Sequence, residues 1–201
     1  MAEGFIPAHG GYQELQSYQK SLVVFQATQK FCRDFFWKFD RTVDQMVQAA
    51  RSGKQNIIEG SMASGTSKET ELKLTNVARA SLEELLEDYR DFMRDRTIAE
   101  WEKDHRYAKR LSVLCREPDA DYETFRAAVE HSDPAIRVNA IAGLIKVTNY
   151  LLDQQLRKLE QDFLKEGGLR ERMTRARLDA RDEQRRRKND PNDGNDKKNE
   201  K

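Results

Sequence analysis

The 201-residue chain carries 36 Lys/Arg against 35 Asp/Glu, a formal net charge of +1, with 37% apolar and 35% charged residues. That length suits one domain with a sizeable core and a tail. No apolar run approaches the roughly 18 residues of a membrane span, and residues 1–11 lack the basic start and apolar centre of a secretory signal.

The small net charge conceals an asymmetry. Residues 167–201 hold 12 Lys/Arg against 8 Asp/Glu, whereas residues 1–166 hold 24 against 27. Attraction for a polyanion is therefore concentrated at the C-terminal end.

Residues 1–11, with Gly4, Pro7, Gly10 and Gly11, read as a flexible lead-in. The first helix is predicted over about Tyr12–Phe36, with Leu15, Tyr18, Leu22, Phe25, Cys32 and Phe36 as its packing stripe at three- and four-residue steps, widened by Val24, Phe31 and Phe35 as suits a helix touching more than one neighbour. Asp40 is placed to cap a second helix. That helix buries Val43, Met46, Val47, Ala50, Ile57 and Ile58, with a bend expected at Ser52-Gly53. Thr66-x-x-Glu69 reads as a capping box opening the third helix, whose stripe is Leu74, Ala78, Leu82, Leu85, Tyr89 and Phe92.

The apolar phase slips after Arg94. Ile98, Trp101, Ala108, Leu111 and Leu114 predict a separate charge-rich helix reaching about Cys115, ended by Glu117-Pro118-Asp119 because the residue before proline avoids helical geometry. Tyr122–Val129 reads as a brief helix. Asp133-Pro134 joins a capping carboxylate to a proline at the first helical position. The helix it starts runs to about Glu166 on Ile141, Leu144, Ile145, Leu151, Leu152, Leu156, Leu159 and Phe163. Gly167-Gly168 stops it. Leu169–Lys188 is again helix-compatible, and the residues from Asn189 onward, without an apolar side chain, are expected to be disordered.

The predicted fold is thus all-α: an up-down antiparallel four-helix bundle over residues 12–166, with helices at about 12–36, 41–60, 67–95 and 134–166. Residues 96–132 form a helical insertion before the fourth helix, 167–188 a basic helical suffix, and 189–201 a tail.

Reaction chemistry is sparse. Gly60-x-x-x-x-Gly65-Thr66-Ser67 imitates a phosphate-binding loop, but Thr66 stands where that motif needs Lys and the preceding segment reads as helix rather than strand. Glu102-x-x-His105 has the spacing of half a di-metal carboxylate site, yet no second Glu-x-x-His exists, so an exposed helical histidine is expected. Cys32 and Cys115 fit no metal spacing and read as buried thiols of a reducing cytoplasm. No Ser or Cys can be tied to a His/Asp pair. The expectation is a non-enzyme without metal or cofactor.

The suffix carries the binding chemistry. Arg170, Arg172, Arg175, Arg177, Arg181, Arg185, Arg186, Arg187 and Lys188 are the candidate phosphate contacts, since guanidinium matches phosphate geometry. Against this stand the i,i+4 pairs Glu171/Arg175, Arg175/Asp179, Asp182/Arg186 and Glu183/Arg187, which would make the suffix a salt-bridged solvated helix. Residues 164–201 hold no aromatic, which removes base stacking by the suffix. Its alternative use is as a helical arm for a protein partner or neighbouring subunit, through Leu169, Met173, Ala176 and Ala180.

The segments Asn56-Ile57-Ile58-Glu59-Gly60, Ser67-Lys68-Glu69 and Asn76-x-Ala78-x-x-Ser81-Leu82-x-Glu84-Leu85 resemble a known family. It comprises the small four-helix-bundle proteins encoded in intervening sequences of bacterial large-subunit ribosomal RNA genes. The accessory variability determinant of diversity-generating retroelements belongs to the same superfamily. The family's usual Ala is Ile58 here, and the Pro that often precedes its Asn is missing. Asn149–Leu156 and Glu166–Arg177 resemble the longer branch, the four-helix-bundle suffix proteins, over about residues 11–186. The resemblance implies a homopentameric bundle, nucleic acid (RNA or DNA) as a partner, and association with a nucleic-acid enzyme such as a reverse transcriptase. It supplies no catalytic residue. The slightly acidic body departs from the basic surfaces of the retroelement relatives.

Overall fold

The computed structural model describes residues 10–37, 39–117 and 119–188. Most of the expected flexible lead-in, the expected disordered tail from Asn189, and Pro118 as a helix end lie outside the described residues. The described residues form seven α-helices and no strand: α1 (Gln16–Phe35), α2 (Arg41–Ala63), α3 (Lys68–Asp95), α4 (Arg106–Leu114), α5 (Tyr122–Val129), α6 (Pro134–Glu166) and α7 (Leu169–Lys188). A single 3₁₀ turn, Tyr12–Glu14, precedes α1.

Six of the helices pack together. The most extensive interface joins α2 to α3, and α1 on α2, α3 on α6 and α1 on α6 close a circuit of four long helices. The two short helices lie on this circuit, α4 against α6 and α5 against both α1 and α6. Phe31, Tyr89 and Phe92 form one edge-to-face aromatic cluster in the core, with ring centroids 4.7–5.0 Å apart. Such pairs add roughly 0.5–1.5 kcal/mol beyond their buried area. The Tyr89 hydroxyl donates to Thr28 Oγ1 at 3.0 Å, which satisfies a polar group with no exposure.

Local chemistry sets the helix ends. Asp40 Oδ1 accepts from Thr42 N, Asp121 Oδ1 from Thr124 N, and Asp133 Oδ1 from Ala135 N ahead of Pro134. The cap of α3 is Ser67, whose Oγ accepts from Thr70 N, and not Thr66 as the capping-box pattern suggests. Gly10 is strapped to α2, donating to Ser61 O and accepting from Ser61 Oγ.

Four further expectations change. The buried face of α1 holds the expected Val24, Phe31 and Cys32 but is completed by Ser17, Lys20, Ser21, Val23, Ala27 and Thr28, while Leu15, Tyr18, Leu22, Phe25, Phe35 and Phe36 are only half-buried. Because α1 is covered by α2 on one side and by α5 and α6 on the other, its core line lies between the apolar edges and includes polar residues. Helix α2 runs without interruption through Gly53, whose missing side chain admits Leu82 of α3. Phe163 is 37% exposed and thus marks the point where α6 leaves the core.

Finally, residues 96–105 are not helical. Thr97 takes a positive φ of 56°, and the buried Asn139 side chain holds the segment extended, accepting from Trp101 N at 2.7 Å and donating to Ala99 O at 3.0 Å. His105 is therefore the N-cap of α4 rather than a helical residue, its Nδ1 accepting from Tyr107 N.

Candidate nucleic-acid interface

The suffix leaves the packed body at a two-glycine joint. Gly167 has φ 72° and ψ −176°, a backbone state that is essentially restricted to glycine. Its N–H closes α6 by donating to Phe163 O at 2.9 Å. Gly168 then opens α7: its carbonyl accepts from Arg172 N, and its N–H donates to Glu171 Oε2 at 3.0 Å. Glu171 thus supplies the reaching-back half of a capping box, with a carboxylate at the positive end of the helix dipole.

One side chain ties α7 back to the body. Arg172 Nη2 donates to Gly65 O, in the α2–α3 turn, at 3.4 Å. Arg172 and Leu169 are half-buried, and every other position from Arg170 to Arg187 is exposed. Arg172 is thus spent on positioning, apart from the other eight predicted phosphate contacts. The side chain of Lys188 lies outside the described part of the structure.

The remaining cations divide by register. At 3.6 residues per turn, Arg170, Arg177, Arg181, Arg185 and Lys188 fall within an arc of about 80° that contains no acid. Arg175 and Arg186 lie on the opposite side, among Glu171, Asp179 and Asp182. Arg187 shares the sector of Leu169, Met173, Ala176 and Ala180. Among the described residues, none of the four expected i,i+4 pairs of α7 closes into an ion pair. The four arginines of the basic face, Arg170, Arg177, Arg181 and Arg185, likewise form no ion pair among the described residues.

The turn beneath the suffix is charge-balanced. Lys68 pairs with Glu71 at 3.1 Å and Lys73 with Glu69 at 2.8 Å. Burial raises the Glu71 carboxyl despite the Lys68 ammonium beside it. The Gly60–Ser67 segment is the end of α2 and its turn, so it offers no strand-to-helix cradle for a phosphate.

The two cysteines are both buried. Burial, reinforced by Asp88 and Asp40, pushes the Cys32 thiol up to about 12; burial pushes Cys115 up to about 11, against the pull of Lys20. Both stay as protonated thiols, the unreactive form. Among the described residues no group of three His, Cys, Asp or Glu could hold a metal ion, and no helix is long and apolar enough to cross a membrane.

Sequence reading missed the aromatic group at the start of α4. Trp101 stacks on His105 with centroids 5.0 Å apart and planes at 16°, and Tyr107 lies 5.5 Å from Trp101. The phase slip after Arg94 was its only sequence signal. No family model, curated protein or solved structure matches this chain.

Proposed function

We propose that this is a non-enzymatic, homo-oligomeric, cytoplasmic protein that binds the RNA or DNA backbone through α7, as an accessory to a nucleic-acid enzyme such as a reverse transcriptase. In this reading α1, α2, α3 and α6 constitute an up-down four-helix bundle, and residues 96–132 are its insertion. The observation that carries it is the acid-free basic face of Arg170, Arg177, Arg181, Arg185 and Lys188 on a helix exposed along nearly its whole length. Exposed guanidinium groups spaced along one face follow a polyphosphate without reading its sequence. The resemblance to the ribosomal intervening-sequence and retroelement accessory proteins supports the nucleic-acid partner, the pentameric assembly and the bacterial setting.

The test is binding of a mixed-sequence RNA and a DNA duplex at 50 and 200 mM salt, for the full chain and for a truncation after Gly168. Five neutralised phosphates correspond to a weakening of about 10²–10³-fold across that range. Tight, salt-sensitive binding lost on truncation supports the reading. Absence of binding at 50 mM salt removes it. Light scattering that gives the 23.4 kDa monomer mass removes the oligomer.

A second reading makes α7 a helical arm for a protein partner or a neighbouring subunit. Its motive is the exposure of Met173 (47%) on α7 and of Leu164 (76%) near the end of α6. Binding by that route is nearly indifferent to salt.

A further inference from the structure

Trp101 lines three clefts, two of them beside α4 and the third along residues 97–105. The two beside α4 flank a close contact between α4 and α6. Leu111 sits over Gly143, where a Cβ would lie 2.5 Å from Leu111 Cδ2. The helix is held close at that notch, with concave space on either side.

The cleft between α4, α5 and α6 encloses about 330 Å³, within the roughly 300–1,000 Å³ of small-ligand sites. Leu111, Leu114, Ile136 and Ala140 form its floor, and Trp101 and Tyr107 its aromatic edge. Its polar lining is Tyr107, Thr124, Arg110 and His131, with no acid among them.

Most of those polar groups are already occupied. The Tyr107 hydroxyl accepts from Arg106 at 2.8 Å, and Thr124 Oγ1 donates to Asp121 Oδ1 at 3.2 Å. His131 Nδ1 accepts from Asp133 N at 3.0 Å, which puts the proton of the neutral ring on Nε2. Arg110 has no hydrogen-bond or ion-pair partner among the described residues. The lining side chains therefore present four unspent donors above an aliphatic floor: the Arg110 guanidinium, His131 Nε2–H, the Tyr107 O–H, which only accepts from Arg106, and the Trp101 indole N–H. The neighbouring cleft on the other side of α4 has one unpaired cation, the exposed Lys103, and no histidine. Its Lys146 is paired with Glu100, and its Asn139 is committed to Ala99, Trp101 and Ala135.

We infer that this cleft binds a small monocarboxylate with an aliphatic body of medium-chain length, its carboxylate directed to Arg110 and His131 and its chain lying on Leu111, Leu114 and Ile136. The charge complementarity selects an anion, and the floor selects hydrocarbon. Ala140 and Gly168 stand 28 residues apart along and just past α6, about 40 Å at 1.5 Å per residue. The cleft is thus remote from the root of α7, and its occupancy is independent of the suffix reading.

The chain has two tryptophans, so a Trp37→Phe background leaves Trp101 as the sole reporter. Octanoate titrated into the full-length protein should give a saturable change in Trp101 emission below about 10 mM, with 1-octanol binding about fivefold more weakly. Arg110→Gln should erase the preference for the acid over the alcohol. Ala127→Phe, at an exposed lining position, should abolish both responses while leaving the far-UV circular dichroism unchanged. The proposal is overturned if octanoate gives no saturable response, if octanol binds as well as octanoate, or if Ala127→Phe leaves the response intact. A single-stranded RNA that moves Trp101 emission where octanoate does not would also overturn it, and would assign the aromatic edge to bases.

Discussion

Gly53 of α2 receives the side chain of Leu82 of α3 directly against its backbone: a Cβ there would lie 2.7 Å from Leu82 Cγ and 2.8 Å from Cδ2. Leu82 is fully buried and has no free direction in which to retreat. Gly53→Ala should therefore destabilise the fold, by up to about 2 kcal/mol. The overpacking cost of about 1–3 kcal/mol outweighs the helix-propensity gain of about 1 kcal/mol. The urea midpoint is the measurement, and an increase would show that α2 and α3 can part without cost.

Asn139 is the clasp of the non-helical segment before α4. Asn139→Ala removes bonds to Trp101 N, Ala99 O and Ala135 O, all of them partly buried, from a side chain that is itself buried. A loss of about 1–3 kcal/mol is expected. The same variant should speed amide hydrogen exchange at Trp101, while exchange within α3 stays slow.

Asp88 sits with Oδ2 buried and unpartnered. Burial, helped by Glu84 and Asp91, raises its carboxyl to about 6. The folded protein then binds this proton more tightly than the unfolded chain does, so stability falls as pH rises between about 4 and 6. Asp88→Asn should be more stable than the parent at pH 7, by about 1 kcal/mol after solvent screening, and equal to it at pH 4. Parallel urea curves for the two proteins at both pH values measure this difference, in which the other carboxylates cancel.

Lys20 is 1% exposed, with Nζ donating to Ala120 O at 3.2 Å and lying 5.3 Å from the Phe125 ring centroid. Burial lowers its pKa, against the pull of Cys115 and Glu117. The folded state therefore holds this proton less tightly than the unfolded chain, and Lys20 contributes a rise in stability as pH climbs toward its unfolded value of about 10.4. Lys20→Met keeps the volume without the charge. It should be neutral or stabilising by about 1 kcal/mol at pH 7, and the advantage should shrink by pH 10. Thermal melts of both proteins across that range would reveal the trend.

The helix ends were the most readable part of this chain. Asp40 and Asp133 act through side-chain bonds two residues along the chain, and Pro134 and Gly167 through their own backbone geometry, so each stands where a helix starts or stops. Periodicity located the buried line of α3, because α2 and α6 cover one broad apolar face. It misplaced the line on α1, where Lys20, Ser21 and Thr28 are buried by neighbours from distant parts of the chain. Residues 96–105 looked helical by spacing and are held extended by one asparagine 38 residues beyond Trp101, a long-range bond without a local signature. In the suffix, the sequence displayed the charges and their register. That Arg172 turns inward to Gly65, away from the other arginines, depends on where a separate turn happens to lie.

Helix α5 places Phe125 and Val129, both with no exposure, against α1 and α6, and the Lys20 ammonium crosses 100 positions of sequence to reach the turn before it. Deleting residues 96–132 would release the Lys20 ammonium to water, where lysine is well solvated, and would uncover apolar flanks of two core helices. A shorter form of the chain could therefore keep its lysine at position 20, but it would need polar side chains on the flanks of α1 and α6 that Phe125 and Val129 now cover.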